Sequence, residues 1–284
     1  MEKSDRGSYL KTALLCSRGR RAKRGAALAA ALLLTANALA ADVARTHALE
    51  AAWRSAGDLD GDVVELSAGD RSALAIHRPA AGRERRGGVI LIHGRGTNAD
   101  SRETLHPLRI GLSDAGWDTL SIQLPAAYDD ADAADWLATA PAIEARLGAA
   151  LDWMSKQGID KRVVVGVGDS ATIALRFAAS RGSDEVAAVA MISSPATFDD
   201  DAVRDVLSGL ARPLFDLYAQ RDLTSVTANA ERRAAAARAA GLADFVQRDV
   251  PGAGPGFRGL DAALVAAART WLNARVAKPA GTAH

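Results

Sequence analysis

Three side chains in this sequence stand where they could carry nucleophilic chemistry. Ser170 lies in Val163-Val164-Val165-Gly166-Val167-Gly168-Asp169-Ser170-Ala171, a buried strand running into a glycine turn and then a small-residue helix. In such a turn, written G-x-S-x-G, a serine at the centre is lifted above a parallel sheet as a nucleophile. Here the centre of that frame is Gly168. Asp222 follows a later strand, in Tyr218-Ala219-Gln220-Arg221-Asp222, and His93 closes the apolar run from Gly88. Serine hydrolysis needs a nucleophile, a base within hydrogen-bond reach and an acid that orients the base.

The elements that must position these residues alternate along the chain. Two strands, Val63 to Leu66 and Ser72 to Arg78, are expected as an antiparallel hairpin, the second from its alternating pattern. Gly88 to His93 is continuously apolar up to the histidine, as in a strand covered on both faces. Helices are expected over 101–115, between 130 and 157 with an interruption near Pro141, and over 171–180, 199–210, 225–240 and 259–277. Strands are expected over 118–123, 162–167, 186–192, 213–218 and 243–250. This repetition implies a doubly wound, mostly parallel sheet of about eight strands with an antiparallel N-terminal edge. Only one short helix fits between 193 and 211, so no large lid is expected.

Composition bounds the partners. Eight of the 35 basic and two of the 34 acidic side chains fall in residues 1–40, which leaves a formal charge of −5 on the rest. A mildly acidic body without a basic run argues against nucleic acid as a partner. Residues 1–40 combine a basic start, the apolar run Ala26 to Ala36 and the small-x-small end Ala38-Leu39-Ala40, the pattern of a secretory signal peptide. Periplasmic or secreted localisation is therefore expected, with no stable membrane span after cleavage; an uncleaved N-terminal anchor is the alternative reading. Residues 41–60 form a lead-in, 61–278 the folded domain and 279–284 a disordered tail. Cys16, the only cysteine, lies in the leader, so no disulfide or thiolate site is expected in the mature chain.

No metal and no cofactor is expected. Neither H-x-x-x-H nor H-E-x-x-H occurs, and Asp129-Asp130 with Asp132 and Asp135 reads as a polar helix start. Gly94-Arg95-Gly96 and Gly166-Val167-Gly168 each lack the full dinucleotide fingerprint.

Ile92-His93-Gly94-Arg95-Gly96, the turn at 166–170 and the loop ending in Asp222 together resemble the α/β-hydrolase superfamily. With Pro107-Leu108-Arg109, Gly116-Trp117-Asp118-Thr119-Leu120-Ser121 and Leu124-Pro125, the chain looks more narrowly like a family of exported bacterial α/β-hydrolase-like proteins of unknown function. The resemblance covers roughly residues 60–277. It implies an oxyanion hole at the His-Gly turn, a nucleophile at the turn after the strand 162–167, and a triad acid at Asp222.

Two registers overlay that pattern. The first places Gly168 at the nucleophile and Ser170 at the following small flank; the second places Ser170 at the nucleophile and Thr172 at the flank. Sterics favour the first, because both flanks must be small. The superfamily's base follows the last strand in a loop resembling P-G-A-x-H-x-F, and here that loop is Pro251-Gly252-Ala253-Gly254-Pro255-Gly256-Phe257, with Pro255 near the histidine position. Proline offers no side-chain donor or acceptor. The five histidines, at 47, 77, 93, 106 and 284, all lie elsewhere.

The sequence therefore supports an exported α/β-hydrolase-fold protein with a degenerate Ser-His-Asp site, acting as a ligand-binding or envelope-associated protein. The alternative is an esterase-like hydrolase using Ser170 and Asp222 with a non-standard base. His93, Gly94, Arg95, Gly168, Asp169 and Pro255 are expected around the pocket. His93 reads as a structural histidine, Arg95 as either an anion ligand or a solvated loop residue, Asp169 as a helix-capping carboxylate and Asp222 as a loop or helix-capping carboxylate.

Overall fold

The computed structural model describes residues 48–49, 51–53, 59–69, 71–82, 84–125, 132–199 and 201–277. The expected signal peptide and C-terminal tail lie outside these residues. A compact unit begins at Leu49.

Eight strands form one sheet: β1 (Asp62–Ala68), β2 (Arg71–Arg78), β3 (Gly87–Ile92), β4 (Trp117–Ile122), β5 (Arg162–Val167), β6 (Ala188–Ile192), β7 (Leu214–Ala219) and β8 (Phe245–Val250). Their order is β1-β2-β4-β3-β5-β6-β7-β8. β1 and β2 are antiparallel, β2 also runs against β4, and from β4 to β8 all pairings are parallel. The helices are α1 (Leu105–Asp114), α2 (Ala133–Ala138), α3 (Ala140–Lys156), α4 (Ser170–Ala179), α5 (Asp201–Ser208), α6 (Thr224–Ala239) and α7 (Asp261–Arg275).

Alternation along the strands builds two cores. Ile90 and Ile92 of β3 pack with Leu147, Met154, Ala174 and Phe177 from α3 and α4. Val89 and Leu91 pack on the other face with Leu108, Leu112, Leu264 and Trp271 from α1 and α7. Every residue of β3 and β4 is buried, as helices on both faces require. Each such large apolar side chain contributes roughly 1.5–3 kcal/mol relative to exposure.

Prolines set two helix starts more sharply than the apolar pattern does. The helix expected from 101 begins at Leu105, which puts Pro107 in its first turn. There the missing N–H would be unsatisfied in any case, whereas further into a helix proline breaks a bond. Pro141 likewise sits in the first turn of α3, separating it from α2 at Thr139. Asp132 caps α2, its carboxylate accepting from Ala134 N and Asp135 N while the Asp135 carboxylate accepts from Asp132 N, so these two residues form a helix start; Asp129 and Asp130 lie outside the described residues. Among the described residues no group of three metal-ligating side chains occurs, and no helix is long and apolar enough to cross a membrane.

Candidate functional site

The carboxyl ends of β3, β5, β6, β7 and β8 open onto a cleft of about 900 Å³. This is where a doubly wound sheet places its ligands. Gly94, Arg95, Gly168, Asp169, Asp222 and Pro255 all line it; Ser170 and His93 do not.

Gly168 forms the tip of the turn from β5 to α4, with φ +59° and its N–H donating to Ile192 O at 2.9 Å. A Cβ on Gly166 would fall 2.7 Å from Ser170 O and 2.8 Å from Ala171 Cα, so strand and helix meet there without room for a side chain. A Cβ on Gly168 would meet nothing nearer than Gly94 Cα at 3.8 Å. The tip thus has space above it, toward the His-Gly turn.

Ser170 is fully buried at the first position of α4. Its Oγ donates to His93 O at 2.7 Å and accepts from Trp136 Nε1 at 3.0 Å. His93 is 2 % exposed. Its Nε2 accepts from Leu124 N at 3.0 Å, which fixes the proton on Nδ1, and Nδ1 donates to Gly94 O at 2.8 Å. Burial lowers the His93 pKa from 6.5 to about 4, so the ring is neutral at pH 7. His93 therefore ties β3 to the end of β4, and Ser170 ties α4 to β3 and α2.

Asp169 does not make the capping bond expected of it, and Asp222 takes the loop role of its two expected ones. Asp169 occupies the N-cap position of α4 without a capping bond, because its carboxylate accepts from Arg95 Nε at 3.0 Å. Arg95 is thus an exposed residue of the cleft held in an ion pair with Asp169. Asp222 lies one residue before Leu223, the N-cap of α6. Its Oδ1 accepts from Leu223 N at 2.8 Å, while Oδ2 accepts from Ala219 N at 3.2 Å and from Ser193 Oγ at 2.6 Å.

Ser193 is the cleft residue that the sequence did not single out. It directly follows β6 with φ +50°, an uncommon conformation for a residue with a side chain. The polar pair Ser193-Ser194 at the carboxyl end of an apolar strand was its only signal. Behind it, the fully buried Arg233 donates from Nε to Asp216 Oδ2 at 2.7 Å and from Nη1 to Ser194 O at 2.8 Å, Val226 O at 3.2 Å and Ala196 O at 3.3 Å. This one cation fastens the loop after β6 to the start of α6. Burial pushes the Asp216 carboxyl above its ordinary range, against the pull of Arg233.

Pro255 lies in a single 3₁₀ turn, Pro255–Phe257, after β8. The loops after β7 and β8 are bound together, with Arg221 N donating to Ala253 O at 2.8 Å and Gly252 N to Gln220 Oε1 at 2.9 Å. Asp222 and Pro255 therefore face one cleft, and among the described residues no imidazole lines it. His77 pairs with Asp118 at 3.0 Å near the amino end of β4, and His106, in the first turn of α1, with Asp100 at 3.0 Å. His47 and His284 lie outside the described residues.

Solved structures share this architecture. Dienelactone hydrolase from Anabaena variabilis superposes with TM-score 0.60 at 20% identity, covering 76% of this chain and 97% of its own. An esterase from Pyrococcus furiosus, Pf2001, gives TM-score 0.61 at 12% identity, covering 76% and 92%. Est1E from Butyrivibrio proteoclasticus gives 0.57 at 13%, covering 76% and 99%. At these identities the likeness establishes the α/β-hydrolase fold. No curated protein matches the sequence. The family model described as "Protein of unknown function (DUF3530)" matches residues 27–142 and 126–274, and the chain belongs to that family.

Proposed function

We propose that this is an exported α/β-hydrolase-fold protein that holds a small molecule in the cleft above the sheet without hydrolysing it through an elbow serine. The observation that carries this reading is Gly168 at the tip of the β5–α4 turn, where the superfamily's chemistry requires a nucleophilic side chain. Pro255 supports it, since it lines the cleft near the position where the resemblance places the base and cannot move a proton. Ser170 supports it too, because its hydroxyl is buried and already engaged on both sides. Export is motivated by the basic and apolar pattern of residues 1–40.

A panel of short-chain aryl esters tests the reading. Turnover at the uncatalysed background rate, unchanged by Ser170→Ala, is the expected result. Turnover well above background that Ser170→Ala abolishes would establish the esterase alternative.

A further inference from the structure

We infer that the cleft takes a neutral, hydroxyl-rich ligand, a short saccharide in chemical class; this rests on reading the cleft as a binding site. The charges around it are already matched with one another. Arg95 holds Asp169 at 3.0 Å, and Arg258 Nη2 holds Glu103 at 3.2 Å. Asp100 accepts from the fully buried Arg109 and pairs with His106 at 3.0 Å. Asp222 is occupied by Ser193 Oγ and two backbone N–H groups. An anionic ligand would meet Arg95 and Arg258 with their charges already offset by Asp169 and Glu103, so it would gain little net attraction there. Arg102 is exposed at the rim, where water and salt screen its attraction.

A neutral ligand meets no such competition. A carboxylate has about four acceptor sites, so one bond to arginine leaves capacity for ligand hydroxyls. Each arginine–carboxylate pair also sets donors beside acceptors, the pattern that neighbouring sugar hydroxyls match. The Pro195 and Pro255 rings and Leu223, 60 % exposed at the lip, supply apolar surface for the C–H faces of sugar rings. About 900 Å³ lies toward the upper end of small-molecule sites, enough for more than one ring.

Titration calorimetry of the purified protein with maltotriose, cellotriose and chitotriose, with citrate as the anionic counterpart, tests this. At least one trisaccharide is expected to bind, with affinity falling about ten-fold in both Asp169→Asn and Arg258→Ala. Arg258 is 79 % exposed on its side chain, so its removal leaves the fold intact. Citrate binding without trisaccharide binding would overturn the ligand class and leave the cleft as a binding site. Trisaccharide binding unchanged in both variants, or no binding of any probe, would also overturn the inference. Ester turnover dependent on Ser170 would instead overturn the functional reading beneath it.

Discussion

Trp136 Nε1 donates to Ser170 Oγ at 3.0 Å, and that hydroxyl in turn donates to the main-chain carbonyl of His93 at 2.7 Å. A hydroxyl spent in this way fixes α2 and α4 to β3. Removing it orphans a buried indole N–H and weakens the hold on a buried carbonyl, each a desolvated group without water to turn to. Ser170→Ala is therefore expected to lower stability by about 1–3 kcal/mol. Urea denaturation measures this, and a change within about 0.5 kcal/mol, typical of surface substitutions, would contradict the arrangement.

The two glycines of the turn are expected to lose stability for different reasons, and Gly166 more, when a side chain is added. Gly166→Ala places Cβ against Ser170 O and Ala171 Cα, both backbone, and should cost at least ~1–3 kcal/mol through forced backbone shifts. Gly168→Ser meets open space and bears only the positive φ, about 1–2 kcal/mol. Thermal unfolding of both variants decides the matter; equal losses would mean that crowding is not what distinguishes the positions.

His93 makes stability depend on pH with a definite sign. Its folded pKa of about 4 lies below the unfolded value of 6.5, so the unfolded chain binds the extra proton in between. Stability from this group is complete above 6.5, falls as pH drops toward 4 and levels off below that, by roughly 3 kcal/mol in all. Replacing His93 with Gln should flatten that part of the profile. An unchanged slope between pH 6.5 and 4 in His93→Gln would assign the dependence to other groups.

Arg233 and Asp216 are both fully buried, and breaking such a pair leaves an uncompensated charge. Arg233→Ala or Asp216→Ala alone should cost about 3–5 kcal/mol, whereas Arg233→Met with Asp216→Leu should recover much of it. Chemical denaturation of the three variants reads the coupling. Additive losses would show that the two side chains act independently.

Much of the fold was legible because strand periods and helix periods switch cleanly along the chain. β3 and β5 announced themselves as continuous apolar runs, and Pro141 signalled the interruption between α2 and α3, whereas the start of α1 at Leu105, with Pro107 in its first turn, was set too early by the apolar pattern. At the site, the small flanks of Gly168 could be argued from sterics alone. The partners of the polar groups could not. Asp169 to Arg95 spans 74 positions in sequence, and Ser193 to Asp222 spans 29. Such contacts follow from strand order and not from local pattern, so Asp169 looked like a helix cap and Asp222 like a loop or capping carboxylate. Trp136, beneath Ser170, was hidden for the same reason: nothing near residue 136 signals a hydroxyl 34 positions away.

Neither Ser170, buried and engaged on both sides, nor Ser193, bonded to Asp222, is expected to act as an activated nucleophile. Incubating the purified protein with a fluorophosphonate probe and recording its intact mass tests that directly. No adduct is predicted on the wild-type chain or on Ser170→Ala. A stoichiometric adduct on any serine of the cleft, Ser193 included, or one on Ser170 that disappears in Ser170→Ala, would overturn it.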